Sequence, residues 1–193
     1  MQHTIPCVGF VVTEKDRLGT LNADRINDIV LRNQNELQKL ESLNYNYMKI
    51  FAKIKSMQLN ESYTFPDGTV VQVSDVVDPP RKGRKLVVMG DTCSGEYIAP
   101  LAMDADLIVH EATNAWLREM DGDKYAYPQL LEKDTFMHGH STPQMAGVFA
   151  RRIRAKRLVL THFSPRYAGD NGEASMRTMW RIEDLAREAS GLQ

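Results

Sequence analysis

The sequence predicts an α/β layer fold, and three observations carry that prediction. Three short apolar runs, Lys85 to Met89 (KLVVM), Asp106 to His110 (DLIVH) and Arg157 to Thr161 (RLVLT), have the length and composition of buried strands. Helical patterns separate or follow them, within 95–103, from Thr142 to about Ile153, and over 173–189. Strand and helix therefore alternate along the second half of the chain, the pattern of a layered α/β domain.

The remaining elements follow in order. Residues 5–13 (IPCVGFVVT) are Val-rich and alternate loosely, which predicts a strand. Residues 22–59 predict helix, because Leu37, Leu40 and Leu43, then Met48, Phe51, Ile54 and Met57, recur at helical spacing without Gly or Pro. Asn22 is the expected N-cap, with Arg25 where a capping box wants Glu. Pro66-Asp67-Gly68 is a turn signal, residues 69–73 a strand, and Ser74 to Pro80 a connection. Residues 114–137 show no clear period and read as loop with some helix. Thr142 followed by Pro143 is the start signal of the next helix.

Composition sets limits. With 193 residues the chain can bury a core. Its 42% hydrophobic and 25% charged content is globular, and no apolar run approaches the roughly 20 residues of a membrane helix. The start MQHTIPCVGF has no basic segment followed by an apolar stretch, so a signal peptide is not expected. Cys7 and Cys93 form no CxxC pair and are expected to be reduced thiols of an intracellular protein, its compartment unresolved. The formal net charge of −1 announces no nucleic-acid partner. Two basic clusters, Arg81 to Lys85 and Arg151 to Arg157, read as solvated surface.

The chemistry sits where the apolar runs stop. They end at Asp91, at His110 and Glu111, and at His162. Loops at strand ends are where a rigid sheet presents ligand-binding groups, and carboxylates with imidazoles suit zinc. A further segment, His138-Gly139-His140-Ser141-Thr142, opens a helix whose free N–H groups favour anions. Taken singly, each piece has a plain structural reading: GDT a turn, His110 a packed core histidine, HxH an accident, Thr142 a cap.

In this order and together, GDT (90–92), HEAT (110–113), HGHSTPQMA (138–146) and RAKRLVLTHFSPRY (154–167) resemble the signatures of the tRNase Z family. IPCVGF and LGTLNADRI resemble its approach to them, while 30–65 and 114–136 match poorly. That family belongs to the metallo-β-lactamase superfamily. The resemblance implies the C-terminal half of a four-layer αββα sandwich, a partial domain over 1–193 with 22–65 as a divergent arm or helical insertion. It implies a zinc-dependent endoribonuclease that removes the 3′ trailer of precursor tRNA, with two zinc ions in the complete site. Asp91 would bridge the metals and His162 ligate one. Glu111 and His140 would pair as carboxylate and general acid near the leaving group. Ser141 and Thr142 would hold phosphate or cap the helix, and His110 and His3 would stand behind the ligands.

The family's HxHxDH zinc motif is absent: His3, His110, His138, His140 and His162 nowhere give that spacing. Asp91 and His162 alone cannot supply two zinc sites. The chain is therefore expected to need an N-terminal half, a second subunit or a homodimer for activity. The alternative is a non-catalytic tRNA- or partner-binding module. No membrane role is expected. Half of a two-sheet sandwich is also expected to expose an apolar sheet face.

Overall fold

The computed structural model describes residues 1–40 and 46–192. In chain order its strands are β1 (Gly9–Thr13), β2 (Ser62–Thr64), β3 (Val70–Gln72), β4 (Lys85–Met89), β5 (Leu107–Glu111) and β6 (Leu158–Thr161). Its helices are α1 (Asn27–Arg32), α2 (Gln34–Leu40), α3 (Lys49–Ser56), α4 (Val73–Val76), α5 (Ala99–Ala102), α6 (Arg118–Asp121), α7 (Pro128–Met137), α8 (Pro143–Arg152) and α9 (Glu173–Ser190). They form two compact units: Met1–Glu14 with Arg84–Gln193, and Lys15–Gly83.

The first unit is built on one sheet in the order β1-β4-β5-β6. β1 runs antiparallel to β4, and β4, β5 and β6 are parallel, joined by helical crossovers as parallel strands require. Side chains alternate across the sheet. On one face Val87, Met89 and Ile108 are buried in a cluster with Ile98, Ala99, Ala102, Phe149, Ala150 and Ile153. The other face carries a row set by register: Phe10 opposite Val88, Val88 opposite Val109, Val109 opposite Val159. The ends of that row, Phe10 and Val159, are 61% and 45% exposed, and Val8 and Val12 are exposed beside Phe10.

α8 and α9 pack closely. A Cβ on Gly147 would come within 2.5 Å of the Ala186 carbonyl, so glycine is what allows the approach. α9 buries Ile182, Leu185 and Ala186 along one stripe and ends at Gly191, whose φ of 71° is a left-handed C-cap.

The second unit has its own core of Ile26, Val30, Ile50, Ile54, Phe65, Val71, Val73 and Val76. β2 and β3 form a hairpin around Pro66-Asp67-Gly68, with Gly68 at φ +84° and the Gly68 N–H donating to the Phe65 carbonyl at 2.9 Å. Buried Asn33 accepts the Asp67 N–H at 2.9 Å and so ties the hairpin to α1. Residues 22–65 fall inside this unit.

Most elements stand where the sequence placed them, but the short strand β2 was not expected, and there are four further differences. The first strand begins at Gly9, where pairing with Met89 begins, and residues 3–5 form a bend ahead of it. Among the described residues, the expected helical stretch 22–59 holds a 3-10 turn at Ala23–Arg25 and three helices, and Asn22 makes no side-chain cap bond. Leu43 of the expected apolar stripe lies outside the described residues. Residues 73–76 form a helical turn within the expected connection, and the 114–137 loop contains the ten-residue α7. α7 buries only Leu131 and Thr135, too few apolar positions to show a period. The basic clusters include four surface ion pairs: Arg84 with Glu14, Arg152 with Glu96, Arg154 with Asp104 and Lys156 with Asp106.

Candidate metal and acid-base site

The ends of the parallel strands deliver the site. Asp91 follows β4, Glu111 closes β5, and His162 follows β6. His162 has φ +56°, an uncommon backbone state for a side chain other than Gly, and one that tends to occur at functional positions. Its Nε2 lies 3.3 Å from Asp91 Oδ2. Both residues remain more than one-third exposed, so the pair is open to solvent and ligands.

Glu111 is fully buried and well provided with donors. Oε1 accepts the Thr92 N–H at 2.6 Å and lies 3.1 Å from His140 Nδ1. Oε2 accepts the Ser141 N–H at 3.0 Å and the Thr113 hydroxyl at 2.5 Å. A buried carboxylate is tolerable only with such compensation. Because the carboxylate only accepts, His140 Nδ1 carries the proton between them and Nε2 faces outward. The His140 ring stacks on His162, centroids 5.3 Å apart, and meets His3 edge-on at 4.8 Å.

Buried Thr92 anchors the N-terminal segment. Its Oγ1 accepts the Gln2 N–H at 3.1 Å, and the Cys93 N–H donates to the Gln2 carbonyl at 2.9 Å. This brings His3 Nε2 to 3.5 Å from His140 Nε2. Gly139, at φ +87°, makes room: a Cβ there would sit 2.9 Å from Thr4 N and 3.0 Å from the His3 ring.

Among the described residues, two groups present donor atoms within 4.8 Å of one another: His3, Asp91 and His140, and Glu111, His140 and His162. Two ligands at the ordinary zinc distances of about 2.0–2.1 Å in a tetrahedron stand about 3.3–3.4 Å apart. The His162–Asp91 separation matches that spacing, so these donors fit zinc. His3 was read from the sequence as standing behind the ligands; its Nε2 lies within the cluster. Its Nδ1 accepts the Ile5 N–H at 3.3 Å, so Nε2 would bind a cation only after its ring proton moves.

The other expected residues have separate places. Ser141 Oγ donates to the Thr92 carbonyl at 2.6 Å, and Thr142 caps α8 by accepting the Met145 N–H at 3.3 Å. Both are buried, so their hydroxyls serve the scaffold. His110 is buried under Phe149 and donates from Nδ1 to the Glu111 carbonyl at 2.8 Å. Burial pushes its imidazole below the usual pKa. His138, the other half of HxH, points to solvent with Nδ1 on the Asp134 carbonyl.

Two features escaped the sequence reading. Thr113, the last residue of HEAT, contacts Glu111, His140 and His162 at once. The second is a clasp between the loops behind Glu111 and behind His162. Buried Asp121 accepts Arg166 Nη1 at 2.5 Å and the Leu117 N–H at 2.8 Å, while Arg166 Nη2 donates to the Ala115 carbonyl at 2.7 Å. The Ala115 N–H in turn donates to the Tyr167 hydroxyl at 2.7 Å.

No family model matches the chain. Among curated proteins, mouse zinc phosphodiesterase ELAC protein 1 is 40% identical over 168 residues, 86% of this chain and 38% of its own length. Ribonuclease Z of Bacillus subtilis is 36% identical over 87% of this chain and 45% of its own length. Ribonuclease Z of Streptococcus suis is 36% identical over 86% and 44%. The chain thus spans less than half of these relatives. Among solved structures, human tRNase Z short form aligns at 40% identity over 51% of this chain and 31% of that chain, with a TM-score of 0.35, too partial a superposition to bear on the fold.

Proposed function

We propose that this chain, which belongs to the ribonuclease Z family over the part of those proteins it spans, carries the acid-base group and part of the metal site of a tRNA 3′-processing endoribonuclease. It would act only once a second polypeptide segment supplies the remaining metal ligands. The observation that supports this best is the convergence of Asp91, Glu111, His140 and His162 from three strand ends and one helix start into a single cluster. A binding module has no chemical need for all four.

Asp91 and His162 would hold zinc, with His3 as a third donor, and two ions are expected in the completed site. Zinc bound there supplies Lewis acidity toward the scissile phosphodiester. Glu111 fixes the His140 ring through Nδ1, so that in the imidazolium form Nε2–H is the proton handed to the leaving oxygen, which leaves the neutral Nδ1–H ring behind. The four-strand sheet, with its uncovered apolar face, is proposed as half of a metallo-β-lactamase sandwich. The missing segment would cover that face and bring the HxHxDH ligands.

Cleavage of a 3′-extended tRNA, with zinc or manganese, tests the reading. The chain alone is expected to cleave nothing. Mixed with a separately expressed N-terminal half carrying HxHxDH, it is expected to cut, and Asp91→Ala or His162→Ala to abolish the cut. Robust cleavage by the chain alone refutes the need for a partner segment. A folded two-part complex that does not cut would instead mark the chain as a non-catalytic module.

A further inference from the structure

We propose that Thr113 is a positioning residue that sets the ring tautomer of His162, so that Nε2 faces Asp91 with its lone pair free. The inference rests on the reading of His162 as a metal ligand, but its core is a matter of counting protons. Thr113 Oγ1 lies 2.5 Å from Glu111 Oε2 and 2.7 Å from His162 Nδ1. A hydroxyl has one proton to give and otherwise accepts. Glu111 is already an acceptor for the N–H groups of Thr92 and Ser141 and for His140 Nδ1, with one acceptor position left on Oε2. The Thr113 proton fills that position. Toward His162 the hydroxyl therefore accepts, and the proton between them belongs to Nδ1. In the neutral ring Nε2 is then unprotonated, 3.3 Å from a carboxylate oxygen of Asp91. Neither atom can donate to the other. Two lone pairs meet across a gap that a cation satisfies.

The same counting gives His3 the opposite state. The Ile5 N–H reaches its Nδ1 at 3.3 Å, so its proton is on Nε2. The two histidines thus differ in tautomer within one cluster, and only His162 is prepared. Through Thr113, the buried Glu111 that orients His140 also orients His162. One carboxylate organises both the acid and the metal side of the site. A histidine that binds a metal generally has its other ring nitrogen held by such a partner, and loss of the partner typically costs about 10–100-fold in affinity.

The test is long-range proton–nitrogen correlation NMR of the histidine rings in the full chain, uniformly nitrogen-15 labelled and stripped of metal. His162 is expected as the Nδ1–H tautomer and His3 as Nε2–H. Thr113→Val, which keeps shape and removes the hydroxyl, is expected to shift His162 toward a mixture, and Thr113→Ser to restore it. Titration with zinc ions alone is expected to show a 10–100-fold loss of affinity for Thr113→Val and less than about threefold for Thr113→Ser. A His162 that is Nε2–H in the unmodified chain overturns the proposal without any variant, whatever Thr113→Val does to folding. So does a Thr113→Val chain with an unchanged tautomer. If the tautomers are as expected but zinc leaves the His162 signals unmoved, the ligand reading fails and the role of Thr113 stands.

Discussion

Asp121→Ala should destabilise the chain by about 3 kcal/mol through the clasp that holds the two site loops. Asp121 has 3% of its side chain exposed and Arg166 28%. The substitution leaves the Arg166 guanidinium without its carboxylate and the Leu117 N–H without its acceptor. Removing one partner of a buried ion pair typically costs about 3–5 kcal/mol. Water can reach the exposed part of Arg166, which places this pair at the lower end. For a chain of this size 1 kcal/mol moves Tm by about 2–4 °C, so a fall of about 6–12 °C is expected. Asp121→Asn keeps an acceptor for Leu117 and should lose roughly half as much. Arg166→Met combined with Asp121→Leu should lose less than the sum of the single changes, because no charge is left stranded. Thermal and urea unfolding followed by circular dichroism would measure these variants and the two single changes, Arg166→Met and Asp121→Leu. A fall of under about 2 °C for Asp121→Ala would show that the pair behaves as an ordinary surface contact, and the reasoning from burial would be wrong.

Three further outcomes are expected. Gly139→Ala forces a side chain into the left-handed region, at about 1–2 kcal/mol, and pushes on Thr4 and His3; zinc affinity by calorimetry should fall, and unchanged affinity would remove His3 from the metal cluster. Burial holds the His110 pKa below its unfolded value of about 6.5, so its contribution to stability is complete above that pH and is lost as pH falls toward the folded value; urea midpoints compared with His110→Asn should diverge above pH 6.5 and converge below it, and parallel curves would refute this. The chain alone should bind an apolar dye on the sheet face, and Phe10→Ser with Val12→Thr should reduce that binding; a clean monomer that binds no dye would count against an unfilled face.

The sheet and the strand-end residues were legible because buried parallel strands are apolar runs with abrupt polar stops, as KLVVMGD and LVLTH show. α8 was legible because Thr142-Pro143 is a start signal with a mechanism, and the Thr142 side chain does cap it. α7 was not, since a helix lying on the surface with two buried residues leaves little periodic trace. β2 is three residues long and acquires its identity from β3. The place of His3 depends on a bridge from Gln2 to Ser94, some 90 residues away, and no local pattern encodes that. Thr113 shows in the sequence only as the residue that closes HEAT; that its hydroxyl lies between Glu111 and His162 is set by the fold. Asp121 looked like one acid among several in a polar loop, and only its burial marks it out.

The second unit interrupts what is otherwise a β-hairpin: β1 ends at Thr13, β4 begins at Lys85, and the Glu14 N–H still closes on the Arg84 carbonyl at 2.9 Å. While the Lys15–Gly83 unit stays folded, the Arg17 and Arg81 backbones hold its ends together by reciprocal N–H to carbonyl bonds of 2.9 and 3.0 Å, so the connection behaves as a short turn. Were it to unfold, β1 would be tethered through roughly 70 free residues rather than about four, an added closure cost of about 2.5 kcal/mol. That cost falls on the edge strand that leads back to His3. The folded state of the inserted unit is therefore an entropic setting on the local concentration of one site histidine. Insertions within the unit can lengthen it freely, provided its two ends remain together.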